Sequence, residues 1–196
     1  LGDTGIFSIK VKTRNVQEAF ANLKAKGVTP ISEIVTAPNG TQSFYIQDPC
    51  DNIIQIKSYD NWFAQGKNMG GFFGCTIGVS DIDAAKKLYV DVLGYDEVIY
   101  DETGTFDDFA ALPSGGETFR RVLLSKQAKS GGFSNLFGTS QLELVQSISR
   151  TPNKIFANRY WGDIGFIHLC YDVRNIGAVV RDCEAAGFPF QVLVDD

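Results

Sequence analysis

The sequence is poor in the residues that usually announce a chemistry. It has one histidine, His168, and one methionine, and its four cysteines (Cys50, Cys75, Cys170, Cys183) show no Cys-x-x-Cys or other paired spacing. Reduced thiols in a cytoplasmic protein are the expectation. No basic run exceeds two residues and the net charge is −5, which argues against nucleic acid and against an anionic membrane surface as partners. No apolar run is long enough to span a bilayer. A Ser-His-Asp arrangement, a phosphate loop and a dinucleotide fingerprint are all missing. No leader pattern opens the chain, but its first residue is Leu1 rather than Met, so a segment upstream is expected. Apolar and aromatic residues are plentiful, 44% and 12% of 196 residues, enough for a sizeable core in one domain or two small ones.

The chain repeats itself. Setting 5–28 beside 165–188 without gaps brings Arg14-Asn15-Val16 onto Arg174-Asn175-Ile176, and Ala25-Lys26-Gly27 onto Ala185-Ala186-Gly187. Both stretches read as an alternating strand, a polar pair, an amphipathic helix and a glycine stop. A third copy lies at 72–95, with Ser80-Asp81 as helix N-cap and Gly94 as stop. Its apolar positions Ile82, Ala85, Leu88, Tyr89 and Val92 follow helical spacing.

Strands and turns follow each helix. The first copy continues through "TPISEIV", "TQSFYI" and "IIQIKS", with Asn39-Gly40 and Asp48-Pro49 as turn signals. The second continues through "DEVIYDE", "TFRRVLLS" and "SQLELVQS", and the third stops after "FPFQVLV". The predicted class is α+β, built from repeated βαβββ units: 1–60, a linker at 61–71, 72–148, a linker at 149–162, and an incomplete unit at 163–196.

At this level the sequence resembles the vicinal oxygen chelate superfamily of glyoxalase I, extradiol dioxygenases and bleomycin- or fosfomycin-resistance proteins. Three passages carry the likeness: "IGVSDIDAAKKLYVDVLGY", similar to the family's first strand and helix; "FYIQDPCDNIIQIKS", similar to its turn and fourth strand; and "LELVQS", similar to that fourth strand again. The resemblance implies that two βαβββ units close one cup-shaped mixed sheet, with ligands from the first and fourth strands of each unit. The long repeat makes the first and third units second halves and the middle unit a first half, as in a piece of a four-unit protein. Units two and three would then share a cup. Units one and two pairing, with the third as an appendage, is the alternative.

Strand alternation sorts the candidates. In 165–173, Phe166, His168, Cys170 and Asp172 share the cup face. Gly74 and Thr76 do so in the middle unit and Ser8 in the first. In the fourth strands Gln141 and Glu143 face the cup, with Gln55 as the first unit's equivalent. The resemblance implies that His168 and Glu143 ligate a divalent metal, Zn, Fe, Mn or Ni, with Glu143 also carrying protons. Gly74 departs from the family, which usually has a ligand there. Thr76, Gln141, Arg121, Gln55 and Ser8 are the candidate substrate contacts, Arg121 or its neighbour Arg120 pairing with a substrate carboxylate. Lys10, Lys12 and Lys57 share the first unit's cup face and mark either an exposed sheet face or an anion-binding cup without metal. Phe106, Phe109 and Phe133 either cap a pocket or cover the sheet.

Two functions stay open. One is a metal-dependent lyase, isomerase or dioxygenase acting on a small molecule with vicinal oxygens. The other is a metal-free module that binds and sequesters a small molecule. Open sheet edges would favour pairing with a second chain as a homodimer.

Overall fold

A computed structural model of the protein describes residues 1–63, 66–126 and 138–192. One eight-stranded sheet organises them, in the order β2-β3-β4-β1-β5-β8-β7-β6. The strands are β1 (Gly5–Thr13), β2 (Val35–Thr36), β3 (Gln42–Gln47), β4 (Ile53–Ser58), β5 (Met69–Gly78), β6 (Glu97–Gly104), β7 (Phe119–Ser125) and β8 (Gln141–Ser147). The two halves mirror each other. β1 runs parallel to β4 and β5 parallel to β8, while β1 and β5 join the halves in antiparallel register, Ser8 opposite Thr76 and Lys10 opposite Gly74.

The helices cover the outer face. Helix α1 (Val16–Ala25) starts where the Asn15 side chain accepts the Glu18 N–H at 3.0 Å and ends before Gly27, whose φ of +84° suits only glycine well. Its Val16 and Ala19 bury against Phe44 and Ile56. Helix α2 (Ile82–Lys86) is capped by Asp81, which accepts from the Ala84 N–H, and continues as a π-helical turn at Lys87–Val92. The spacing predicts a regular α-helix there; the wider turn is a local departure from it. Ile82, Tyr95, Cys75, Ile77, Val122, Leu124, Leu142 and Leu144 form the core beneath. On the inner face, Leu1, Tyr45, Ile53, Phe106, Phe109, Leu112, Phe119 and Val145 make a third cluster. Phe106 and Phe109 thus wall the cup, while Phe133 lies outside the described residues.

Three expectations change. Units one and two build the cup, not units two and three. "TPISEIV" contributes only its last residue, Val35, to the two-residue β2. The strand expected at 165–173 does not form, although helix α3 (Ile176–Ala185) behind it does. The reason for the last is topological: the edge of β5 that such a strand would take is already hydrogen-bonded to β1. Of "FPFQVLV", residues 188–192 form no strand and the remainder lies outside the described residues. All four cysteines are free, and no helix among the described residues is long and apolar enough to cross a membrane.

Gly74 shows how tightly the sheet closes. A Cβ there would stand 1.7 Å from the Gln141 carbonyl oxygen, at a φ of +134°. Gly74→Ala should therefore destabilise the fold by about 3 kcal/mol, measured by urea denaturation; a loss below about 1 kcal/mol would mean that β5 and β8 are not this close.

Candidate ligand-binding cup

The inner face holds six buried charged side chains: Lys10, Lys12, Lys57, Arg121, Glu143 and Asp108. Burial of this kind is tolerated only where charges are paired and hydrogen-bonded. Glu143, on β8 and 1% exposed, is the hub. Its Oε1 accepts from Arg121 Nε at 2.8 Å, from Arg121 Nη2 at 2.6 Å and from the Tyr100 hydroxyl. Its Oε2 accepts from Lys10 Nζ at 2.6 Å and from Thr76 Oγ1 at 3.4 Å. Arg121 turns its other side to Asp108, Nη1 to Oδ1 at 2.7 Å and Nη2 to Oδ2 at 3.0 Å. The guanidinium lies 3.8 Å from the Phe109 ring centroid and 4.7 Å from that of Phe106, a cation on aromatic faces.

Lys10 spans the two halves. Besides Glu143, its Nζ donates to Gln55 Oε1 at 2.6 Å, and Gln55 Nε2 donates to Ser43 Oγ at 2.9 Å. Burial alone would push the Glu143 carboxyl up, but Arg121, Lys10 and Lys57 hold it well below the usual carboxylate range. Burial, then the neighbouring Lys10, lowers Lys57 to about 7 despite the opposing charge of Glu143. Among the described residues the Lys57 ammonium has no hydrogen bond or ion pair. Ser8 Oγ, Tyr45 Oη and Gln141 Oε1 are likewise buried without a partner.

The structure brings together Glu143, Arg121, Gln55, Thr76, Ser8 and Gln141 on the buried inner face. Of the two arginines, Arg121 points in; Arg120 points out and pairs with Asp83 and Asp101. The three lysines lie inside rather than on an exposed face, each at most 2% exposed. His168 is not brought to Glu143. It is exposed, its ring stacks on Trp161 at 5.0 Å, and it borders a cavity of about 410 Å³ on the outer side with Ile6, Ile77, Tyr89 and Tyr171. Cys170 is exposed there too. Asp108 and Tyr100 were not legible as site residues, since Asp108 sits in a loop without a motif. Its flanking Phe106 and Phe109 were the signal that this loop turns inward.

The donor set does not fit a divalent metal. Both oxygens of Glu143 are taken by protonated donors, two of them cationic, and Gln55 Oε1 is taken by Lys10. Gly74 has no room for a ligand side chain. Among the described residues no three His, Cys, Asp or Glu side chains cluster to hold an ion.

Residues 75–193 match the sequence profile of the glyoxalase/bleomycin resistance protein/dioxygenase superfamily. That stretch covers units two and three, whereas the cup is built from units one and two. Among solved structures the chain is similar to glyoxalase I from Zea mays, at 18% identity and TM-score 0.48 over 76% of this chain and 45% of that one. It is similar to a putative dioxygenase from Bacillus subtilis, at 17% identity and TM-score 0.45 over 76% of this chain and 43% of that one. It is also similar to methylmalonyl-CoA epimerase from Streptomyces coelicolor, solved with 2-nitronate-propionyl-CoA, at 17% identity and TM-score 0.41 over 74% of this chain and 99% of that one. The chain thus spans less than half the length of the first two. No curated protein sequence matches it.

Removing Lys10 leaves Glu143 short of a partner, so Lys10→Met should cost about 3 kcal/mol or more in urea unfolding; an unchanged midpoint would show that the pair is not formed. Lys57 sets a pH dependence. Its folded value, about 7, lies below the ordinary 10.5, so between these values the unfolded chain holds a proton that the folded one lacks, and stability rises with pH. The melting temperature should climb from pH 7 to pH 9 in the wild type, and more shallowly in Lys57→Met. Equal slopes would contradict the burial of this amine.

Proposed function

The chain belongs to the glyoxalase/bleomycin resistance protein/dioxygenase superfamily, and within it we propose that the protein is a metal-independent small-molecule binding protein whose cup uses a lysine where relatives use a metal ion. The observation that carries this reading is the position of Lys10, whose Nζ lies 2.6 Å from both Gln55 Oε1 and Glu143 Oε2. Gln55 and Glu143 stand at the two fourth-strand positions from which the family draws its ligands. An ammonium between them supplies positive charge and N–H donors but no coordination position, so it can hold an oxygen of the ligand only by hydrogen bonding.

The rest of the cup supports a binding role. One end is apolar, with Phe106, Phe109, Phe119 and Val145 buried together. The other is polar and preorganised by Arg121, Lys10 and Gln55. That combination suits a ligand with an apolar body and a few oxygens at one end. Glu143 serves as the anchor of the cations rather than as a proton carrier, because every proton near it is already donated to it and its own carboxyl stays ionised.

Elemental analysis tests this directly. Purified protein incubated with zinc, nickel, manganese and ferrous ions and then desalted should keep far less than one metal per chain. Near-stoichiometric metal in the wild type that Glu143→Gln loses would overturn the reading and restore a metal-dependent lyase, isomerase or dioxygenase.

A further inference from the structure

Lys57 stands apart from the network around Glu143. Glu143 and Asp108 are taken by Lys10 and Arg121, at ion-pair distances of 2.6–2.7 Å. Lys12, the neighbour of Lys57 across β1 and β4, is engaged over the Phe73 ring at 5.7 Å. Among the described residues Lys57 Nζ has neither a hydrogen bond nor an ion pair, although the residue is only 2% exposed. A buried ammonium whose N–H groups lack acceptors is costly, whereas a neutral amine escapes most of that cost. Burial and the positive charge of Lys10 outweigh the opposing field of Glu143, so this amine loses its proton at about pH 7. A desolvated, neutral lysine keeps its nitrogen lone pair free, and in that state it is a nucleophile towards a carbonyl carbon. Hydroxyls lie on the same face. Ser43 stands opposite Lys57 across β3 and β4, and its Oγ accepts from Gln55, which leaves its own proton to donate. Tyr45 Oη and Ser8 Oγ are buried there without a partner. Such hydroxyls can donate to an oxygen of a ligand in the cup.

Resting on the metal-independent reading of the cup, we propose that Lys57 captures the ligand covalently: the ligand is a small aldehyde or ketone, and Lys57 Nζ forms a reversible imine with it. The nitrogen lone pair attacks the carbonyl carbon, and the proton that nitrogen loses passes to the carbonyl oxygen, giving a carbinolamine. That hydroxyl then leaves with the remaining nitrogen proton as water, and the C=N bond forms. One amine and one carbonyl give one imine and one water, with no oxidant, reductant or co-reactant. Lys10 and Arg121 stay with Glu143 and Asp108 and position the cup without reacting. An uncharged carbonyl compound asks for no further counter-charge from the inner face.

The test is reductive trapping on the full chain at pH 7, with propanal as the probe, cyanoborohydride as the reductant and a chelator present throughout. Cyanoborohydride delivers hydride to the imine carbon and fixes it as a secondary amine, which peptide mass mapping locates. The exposed Lys24 and Lys26 serve as internal references. Lys57 should be alkylated at least tenfold faster than either, and unfolding the chain in urea should abolish that preference. Intact mass should show one fast adduct per chain in the wild type and none in Lys57→Arg, with a melting curve to show that the variant is folded. Labelling of Lys57 no faster than the references, or a fast adduct that persists in folded Lys57→Arg, would overturn the proposal. The metal-independent reading would survive either outcome, since it stands on metal retention alone. Trapping that occurs only when the chelator is omitted would sink both.

Discussion

Burying the ionised carboxylate of Glu143 inside a closed sheet costs several kcal/mol unless its lone pairs are matched, and much of the inner face is arranged to match it. Arg121 takes one oxygen with two N–H groups, Tyr100 adds a hydroxyl, and Lys10 and Thr76 take the other. The demand propagates outward. Glu143 is shared between Arg121 and Lys10, so Asp108, in the loop between Phe106 and Phe109, supplies the second negative charge to Arg121. Lys10 reaches Gln55 in the other half, and Gln55 is fixed in turn by Ser43. A chain of polar contacts therefore runs from β7 through β8 and β1 to β4 and β3, across the seam where the halves meet.

That seam is the other organising feature. β1 and β5 lie antiparallel and carry the cup-facing Lys10 and Thr76 to the same carboxylate. The sheet closes so tightly beside it that position 74 has no room for a side chain. The likeness between 5–28 and 165–188 is real at the level of sequence and of helix capping: Asn15 and Asn175 both accept the N–H of the residue three positions on. The segment preceding the second of these helices nevertheless forms no strand, because its place beside β5 is filled by β1.

Much of the fold was legible because local signals and long-range pairing agree. Asn39-Gly40 and Asp48-Pro49 punctuate strands that form close to where alternation puts them, and Asp81 caps the helix it should. The cup-facing register of Glu143, Gln55 and Thr76 was legible too, since a period of two leaves only two faces. His168 was misleading for an instructive reason. Its strand-like surroundings are a property of residues 165–173, but a strand exists only where an edge accepts it, and edge occupancy is not written in that segment. The lysines were left open between an exposed face and the inside of a cup, and the structure puts them inside. Alternation put Lys10, Lys12 and Lys57 on the cup face, but whether that face is open to water depends on what packs over it from elsewhere in the chain, and all three are buried. Asp108 had no motif to mark it, because its role is electrostatic and its partner is thirteen residues away.

In the proposed reading the fourth-strand positions Gln55 and Glu143 are bridged by an internal ammonium, that of Lys10, rather than by a metal ion. A cation tethered to β1 cannot be lost or exchanged, and its hydrogen bonds are directional where metal coordination is adjustable. The measurement that tests this most directly is a crystal structure from protein grown with excess nickel, with anomalous data collected at the nickel edge. No anomalous peak is expected beside Glu143, and Lys10 Nζ should lie within hydrogen-bonding distance of both Gln55 and Glu143. A nickel ion at about 2.0–2.2 Å from Glu143, with Lys10 swung aside, would contradict it.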